Sequence, residues 1–249
     1  MEQANYAAIA QMQEQNWWYR ARRKLFGSAI EGSTFSVAAD FGAGMGANYS
    51  VLSAVSGRVI AIDPESESIE ACSSVGYSET NQSGIEKLDL QDGSIDLALL
   101  ADVLEHVDDE KAISELWRVL RSGSTALISV PAFQWLWNWN DEDGHHLRRY
   151  SKKELREKLQ RTGFVIERIS YWNALFVLPV FLVSRIQRFR VKPTQLHNNL
   201  SMVPTFLNSL LVVWMSLETR FALSIGLPFG VSVFAIVRKP SIDHTSVGT

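Results

Sequence analysis

The sequence predicts an α/β chain built on a mostly parallel sheet with helices on both faces. Three observations predict it. Short apolar runs alternate with longer segments of helical period, the order that crossover connections between parallel strands require. The run Val37-Ala-Ala-Asp40 passes directly into a glycine-rich turn, Gly42-Ala-Gly44-Met-Gly46. A second run, Val59-Ile-Ala-Ile-Asp63, ends in a carboxylate 17 residues after the last of those glycines.

In order along the chain, a first helix is expected over Tyr6 to Ile30, strand one over Ser36 to Asp40, a helix over Asn48 to Val55 and strand two over Val59 to Asp63. Strand three, Tyr77 to Asn81, is short. Strand four spans Ile95 to Leu100. The next helix, Asp109 to Leu120, has Asp108 as its N-cap and Gly123 as its stop. Strand five is Thr125 to Val130. Ser151-Lys-Lys-Glu154 is a capping box, so a helix begins there and ends at Gly163. Phe164 to Tyr171 alternates as a sixth strand, and Val231 to Arg238 forms a seventh.

Residues 173–229 stand between these last two strands, too many for a simple loop. Ala174 to Val183 is almost wholly apolar and precedes Arg185, Arg188, Arg190 and Lys192. Phe206, Leu210, Val213, Trp214, Leu217 and Phe221 recur at helical spacing, which predicts two helices with broad apolar faces. They pack on the sheet as a lid, or they lie in a membrane surface, where an apolar run beside arginines suits the headgroup boundary. A span is disfavoured. The first run is about half the ~20 residues required, and the second contains Asn208 and is closed by Glu218 and Arg220.

With 249 residues and 46% hydrophobic composition, the chain can bury one core and carry an appendage. A net charge of −3 gives no general attraction to nucleic acid. Cys72 is the only cysteine, so a disulfide framework and a cysteine-rich metal site are excluded. The start, Met1-Glu-Gln-Ala-Asn, lacks the basic-then-apolar plan of a secretory signal, and a cytoplasmic location is expected.

Glycines in a strand-to-helix turn let the backbone bend tightly and let a ligand lie against its N–H groups, while Asp63 is placed to accept two ribose hydroxyls. This is the pattern of a nucleoside site. Gly42-Ala-Gly44-Met-Gly46-Ala47 also satisfies a loose dinucleotide pattern. Asp40, on the strand end before the first glycine, suits an ammonium or its water shell better than a pyrophosphate. The order D-x-G-x-G-x-G followed by Asp63 resembles motif I and the acidic strand end of class I S-adenosylmethionine-dependent methyltransferases. Leu90-Gln-Asp92-Gly-Ser-Ile-Asp96 and the strand ending Asp102-Val-Leu-Glu105-His106 are similar to the strand-four signature of the same enzymes. Leu120-Arg-Ser-Gly123 resembles their turn into strand five, with Ser122 in place of the usual proline.

The resemblance covers about residues 35–172 and a last strand. It implies a Rossmann-like seven-stranded, mostly parallel sheet with an antiparallel last strand, and S-adenosylmethionine as cofactor. The domain layout that follows is an N-terminal helical lid over 1–34, a methyltransferase core over 35–172 and 230–240, the apolar helical insertion 173–229, and a flexible tail 241–249. Gly42, Gly44 and Gly46 would lie under the methionine portion and Asp40 would meet its amino end. Asp63 would bind the ribose, Ile85 would flank adenine, and Ala101 and Asp102 would face the transferred methyl. Gly84 stands where the family often has an acidic residue.

The acceptor side points to the segment after strand five, since ligands in open α/β sheets sit beyond the carboxyl ends of the strands. That segment, Trp135 to Tyr150, resembles a type 11/12-like subgroup with a W-x-x-x-D-x-x-x-x-H-x-R-R-Y loop. Trp137, Asp141, His146, Arg148, Arg149 and Tyr150 match, whereas His145 replaces glycine. His146 is the candidate general base, with Asp141 orienting it. Arg148 and Arg149 are candidates for an anionic acceptor group, with Trp137 and Tyr150 beside them. The two arginines could instead pair with Asp141, Glu142 and Asp143 and merely order the loop. A zinc site of His145, His146 and Asp141 lacks a completed ligand shell, so no metal is expected. Glu105 and His106 stand at the start of a helix, where Glu complements the dipole and His bonds locally.

Asn16-Trp17-Trp18-Tyr19-Arg20-Ala-Arg22-Arg23 resembles the W-W-F-x-x-R-R start of the same subgroup. It closes over the cofactor with Tyr19 or Arg20 near the methionine carboxylate, or it packs Trp18 on the sheet. The absence of a [DNS]-P-P-[YF] tetrapeptide after strand four weakens the case for methylating an amino group of DNA or a protein amide. The expected activity is O-methylation of a small or lipid-linked amphiphile at a membrane surface. A nicotinamide-dependent oxidoreductase and a noncatalytic nucleoside-binding protein of a membrane assembly are the alternatives.

Overall fold

A computed structural model describes residues 12–190, 192 and 203–241. The expected tail over 242–249, residues 6–11 of the expected first helix and the segment between the two insertion helices lie outside the described residues. Helix α1 (Trp17–Ala29) leads into β1 (Phe35–Phe41), α2 (Tyr49–Ser53), β2 (Ser56–Ile62), α3 (Ser66–Val75), β3 (Glu79–Asn81) and β4 (Ile95–Ala101). There follow α4 (Asp109–Val119), β5 (Leu120–Pro131), α5 (Trp139–Asp143), α6 (Lys152–Thr162), β6 (Val165–Trp172), α7 (Val177–Gln187), α8 (Thr205–Ser224) and β7 (Ser232–Arg238).

The seven strands form one sheet in the order β3-β2-β1-β4-β5-β7-β6. β7 runs antiparallel to both β5 and β6, and the other pairings are parallel. The sheet is the one expected, with its antiparallel last strand wedged between the fifth and sixth. Both faces are covered. Ile113, Leu116, Leu155 and Leu159 of α4 and α6 pack on one, and Phe26, Leu52 and Cys72 of α1, α2 and α3 on the other.

Strand order reverses between β1 and β4, and register then builds the site. Phe41 lies opposite Ile62 of β2 and Leu100 of β4. The next residues, Gly42, Asp63 and Ala101 with Asp102, therefore emerge side by side at the carboxyl edge, where open α/β sheets place their ligands.

Two expected boundaries move for stated reasons. The first helix is interrupted at Asn16, whose extended backbone (φ −67°, ψ 132°) ends a short helical stretch and whose side chain accepts from the Trp18 N–H to start α1 afresh. Helix α4 begins at its Asp108 cap as expected but stops at Val119, before Gly123. Lys239 Nζ donates to the carbonyls of Trp117 (2.7 Å) and Leu120 (2.8 Å), so a distant cation satisfies the helix end and the chain passes directly into β5. The Ser151 capping box and the Gly163 stop of α6 form as the sequence predicts.

The insertion folds as two helices, α7 and α8. One stripe of α8, Met215, Glu218, Thr219 and Ala222, is buried, and with Ala21, Leu25, Trp172 and Phe234 its apolar members form a third core cluster. By length and composition alone α8 is long and apolar enough to cross a membrane, although its polar residues disfavour a span. Those polar residues are spent on the domain instead. Asn208 accepts from the Trp17 N–H at 2.7 Å, Glu218 from the Ala174 N–H at 3.0 Å, and the Thr219 hydroxyl from Trp172 Nε1 at 3.3 Å. The other side of α8 leaves Phe206 82%, Val213 59% and Phe221 56% exposed, and α7 adds Leu178, Leu182 and Ile186.

Candidate active site

The glycine turn contributes room rather than donors. The N–H groups of Gly42 and Ala43 both go to the Ile62 carbonyl, that of Gly44 to Asp63 Oδ2 at 2.9 Å, and that of Gly46 to the Ala43 carbonyl. The expectation that a ligand lies against these amides is corrected accordingly. All three glycines hold positive φ, 66°, 52° and 80°. A side chain at Gly42 would strike Val103 Cγ2 at 2.7 Å, whereas at Gly44 it would meet nothing within 4 Å. Gly44 therefore borders open space, the cradle a bound nucleoside would fill.

Asp63, at the end of β2, also accepts from the Glu65 N–H at 3.0 Å through Oδ1. A carboxylate has about four acceptor positions. Two remain for vicinal hydroxyls, so the ribose assignment fits. Ile85 is buried in the core beneath this edge, and Ala101 is buried at the end of β4.

Asp40 departs from its expected place. It is fully buried, with Oδ2 accepting from the Tyr77 hydroxyl (2.6 Å) and Oδ1 from Asn48 Nδ2 (3.2 Å). Burial pushes its carboxyl up to about 6, against those two hydrogen bonds. Both of its oxygens are engaged inside the protein, which takes it out of the role of meeting the amino end of the cofactor.

The charged residue that the N-terminal segment brings to the edge is Arg22, which the sequence reading passed over. Its Nη1 donates to Asp102 Oδ2 at 2.6 Å, and Asp102, itself at φ 59°, also accepts from Ser129 Oγ at 3.0 Å. Arg22 Nε is buried and has no hydrogen-bond partner among the described residues, an orphan donor that the carboxylate of a bound amino acid would satisfy. Tyr19 lies under the Arg22 guanidinium, 5.3 Å from centroid to Cζ, while Arg20 points to solvent. Arg22 sits in the stripe Ala21, Arg22, Leu25, Phe26, and an arginine in an apolar helix stripe was the available signal.

The loop after β5 folds around Asp141, which is fully buried. It accepts from Arg149 Nε (2.7 Å) and Nη2 (2.9 Å), from His146 Nδ1 (2.9 Å) and from the Asn138 N–H (2.8 Å). Burial would raise its carboxyl, but the His146 and Arg149 hydrogen bonds outweigh it and hold the group low. The expected His146–Asp141 pair forms, leaving Nε2 free of Asp141.

The arginines do not reach out to an acceptor. Arg149 is consumed by Asp141 and the Ala132 carbonyl, and Arg148 Nη1 lies 2.9 Å from Asp109 Oδ1. Tyr150 is buried, donating to the Leu104 carbonyl or to Asp109 Oδ2 at 2.8 Å. Arg149 orders the loop through Asp141, the alternative the sequence left open, while Arg148 and Tyr150 tie the loop to Asp109, and the substrate-binding reading of these three residues is corrected. Trp137 is half-buried. The exposed tryptophan is Trp135, stacked on Phe133 at 5.1 Å and edge-on to Phe181 at 5.7 Å. It forms one wall of an apolar pocket of about 370 Å³ whose other walls are Ala174, Leu175, Val177, Leu178, Phe181 and Phe229.

Glu105 is fully buried with neither carboxylate oxygen hydrogen-bonded among the described residues; burial, then the Asp102 charge, pushes its carboxyl well above the ordinary range. The Leu147 N–H donates to its backbone carbonyl at 2.7 Å, stitching the loop to the end of β4.

Residues 39–128 match the methyltransferase domain family. A Mycolicibacterium smegmatis protein named as an S-adenosylmethionine-dependent methyltransferase is 27% identical over 164 residues, covering 64% of this chain and 63% of that protein. An uncharacterised 37.1 kDa protein of a Streptomyces fradiae transposon is 30% identical over 158 residues, covering 59% and 44%. The match thus spans less than two thirds of either relative.

Among solved structures, the complex between the Haloferax volcanii Trm112 methyltransferase activator and a methyltransferase contains a chain superposing with a TM-score of 0.63 at 17% identity, covering 97% of both chains. Geranyl diphosphate methyltransferase in complex with S-adenosylmethionine gives 0.60 at 12%, covering 89% and 85%. At such identities these likenesses speak for the fold alone. The nicotinamide alternative falls away: with its glycine turn, acidic second-strand end and β7 insertion into the sheet, the chain has the fold of the class I S-adenosylmethionine-dependent methyltransferases, and residues 39–128 are its methyltransferase domain.

Proposed function

We propose that the chain methylates an oxygen of a small or lipid-linked amphiphilic acceptor and works on the cytoplasmic face of a membrane. The observation that carries this reading is the apolar pocket walled by Trp135 and the insertion, on the same loop as His146. S-adenosylmethionine supplies an electrophilic methyl group. The chain's own residues then have three tasks. Gly44, Asp63 and Arg22 hold and orient the donor, so that attack is close to in line. The Trp135 pocket takes the acceptor's apolar part, and His146, held by Asp141, accepts the hydroxyl proton at Nε2.

Membrane contact is supported by the exposed apolar sides of α7 and α8, which together exceed what single scattered residues explain. Arg188 and Arg190 flank them and have no ion pair among the described residues, which suits anionic headgroups. Lys192 does not contribute, because it is paired with Glu142 and Asp143.

The test is transfer of labelled methyl from S-adenosylmethionine to amphiphilic phenols and lipid-linked saccharides presented in vesicles. Label extracted with the lipid, reduced at least tenfold in Trp135→Ala, is expected. Transfer only to water-soluble acceptors, unaffected by that substitution, overturns the acceptor class.

A further inference from the structure

Three residues beyond Asp102, the Glu105 carboxylate and the imidazoles of His106 and His146 converge, one ligand atom from each lying within 4.8 Å of the others. We propose that this cluster binds a first-row divalent transition cation through one carboxylate oxygen and two imidazole nitrogens. The site runs against the expectation of no metal, and it does not depend on the methyl-transfer reading.

Glu105 is the first reason. A fully buried carboxylate with two unpartnered oxygens is costly unless a positive charge meets it. The helix-start role expected for it does not account for this burial.

The histidines are the second. Their rings meet edge to face with centroids 4.7 Å apart. His146 has Nδ1 on Asp141 at 2.9 Å. That imidazole is thereby oriented by an outer oxygen acceptor with Nε2 left over, as ligating histidines are. Gly144 adds to this. Its φ of −77° suits any residue, yet a Cβ there would stand 3.0 Å from His146 Nε2 and 3.1 Å from the Asn140 carbonyl. Glycine keeps that nitrogen clear.

Two imidazoles and a carboxylate suit zinc, iron(II), cobalt(II) or manganese(II) better than calcium or magnesium, and three protein ligands leave a position open. A cation about 2.1 Å from each ligand places tetrahedral donors roughly 3.4 Å apart, so the cluster closes by about an ångström on binding. His106, exposed to solvent, has the freedom to move. A hydroxyl acceptor in the open position would lose its proton to solvent more readily. The cation would then do what His146 Nε2 does in its absence.

The experiment strips the purified full-length chain with chelator and titrates it with cobalt(II), reading visible absorption and calorimetry without cofactor or acceptor. Uptake of one ion with micromolar or tighter affinity is expected, falling at least tenfold in both His106→Gln and Glu105→Gln while circular dichroism is unchanged. His106 is exposed, so that variant tests the site even if Glu105→Gln fails to fold. No uptake by the folded chain, or uptake that His106→Gln leaves unchanged, overturns the proposal. Either result leaves the methyl-transfer assay to be judged separately.

Discussion

Arg22 Nη1 stands 2.6 Å from Asp102 Oδ2, so a helix that precedes the sheet in sequence closes an ion pair at the end of β4. The pair fixes the guanidinium whose Nε is left without a partner among the described residues. Arg22→Ala should weaken S-adenosylhomocysteine binding about tenfold or more, near 1.4 kcal/mol. Arg22→Lys should restore only part of it, because an ammonium cannot hold Asp102 and a ligand carboxylate in one plane. Calorimetric titration checks both, and wild-type affinity in Arg22→Ala would remove the residue from the cofactor site.

Gly42 and Gly44 should fail differently. Alanine at Gly42 drives a methyl into Val103 and strains a φ of 66°, so thermal stability should drop. Alanine at Gly44 carries only the backbone cost, about 1–2 kcal/mol, with open space around it. Gly44→Ala should therefore fold yet lose cofactor binding, and a folded variant that binds normally would show that the cradle is elsewhere.

Asp40 sets a pH dependence. Its carboxyl titrates near 6 when folded against 3.8 in the open chain, so folding favours the protonated form. The stabilising contribution is complete below about pH 4 and is lost as pH rises through about 6. A shift of about two units is worth roughly 2–3 kcal/mol. Asp40→Asn should relieve this cost at pH 8 and confer no such gain at pH 4, measured by urea unfolding at both. An equal effect at both pH values would mean that the carboxyl does not titrate in this way.

The exposed side of α8 can be tested without touching its buried stripe. Replacing Leu210, Trp214 and Phe221 together by serine should abolish sedimentation with anionic vesicles. Each large apolar group is worth up to ~1.5–3 kcal/mol when buried. Arg188→Gln and Arg190→Gln should each cost about 1 kcal/mol, or roughly fivefold, only when the vesicles are anionic. Unchanged sedimentation of the serine variant would place the membrane contact elsewhere or nowhere.

What the sequence disclosed was what neighbours in sequence decide. The Ser151–Glu154 capping box and the Asp108 cap are each closed within a few residues, and each forms where its pattern stands. The end of α4 was placed to within one residue, but its stop was assigned to Gly123 because nothing nearby shows that its carbonyls are met by Lys239, 119 and 122 residues away. The Arg149–Asp141 pair was one of the alternatives that the sequence left open, whereas the partner of Arg148 was not, because nothing in the loop reveals that Asp109 lies beside it. The Glu105–His106–His146 cluster was illegible for the same reason. It joins a strand end to a loop 40 residues later, across a contact that only the sheet creates.

Asn208 accepts the first N–H of α1 from 191 residues away. A helix near the beginning of the chain thus obtains its N-terminal partner from the final quarter, and a ribosome must release almost the whole polypeptide before that partner exists. Arg22 lies one and a half turns further along the same helix. Excising 173–229 therefore would not trim an accessory: it would leave the Trp17 N–H without its acceptor and Asn16 alone to cap the helix that completes the cofactor edge, and a shortened chain would report on both ends at once.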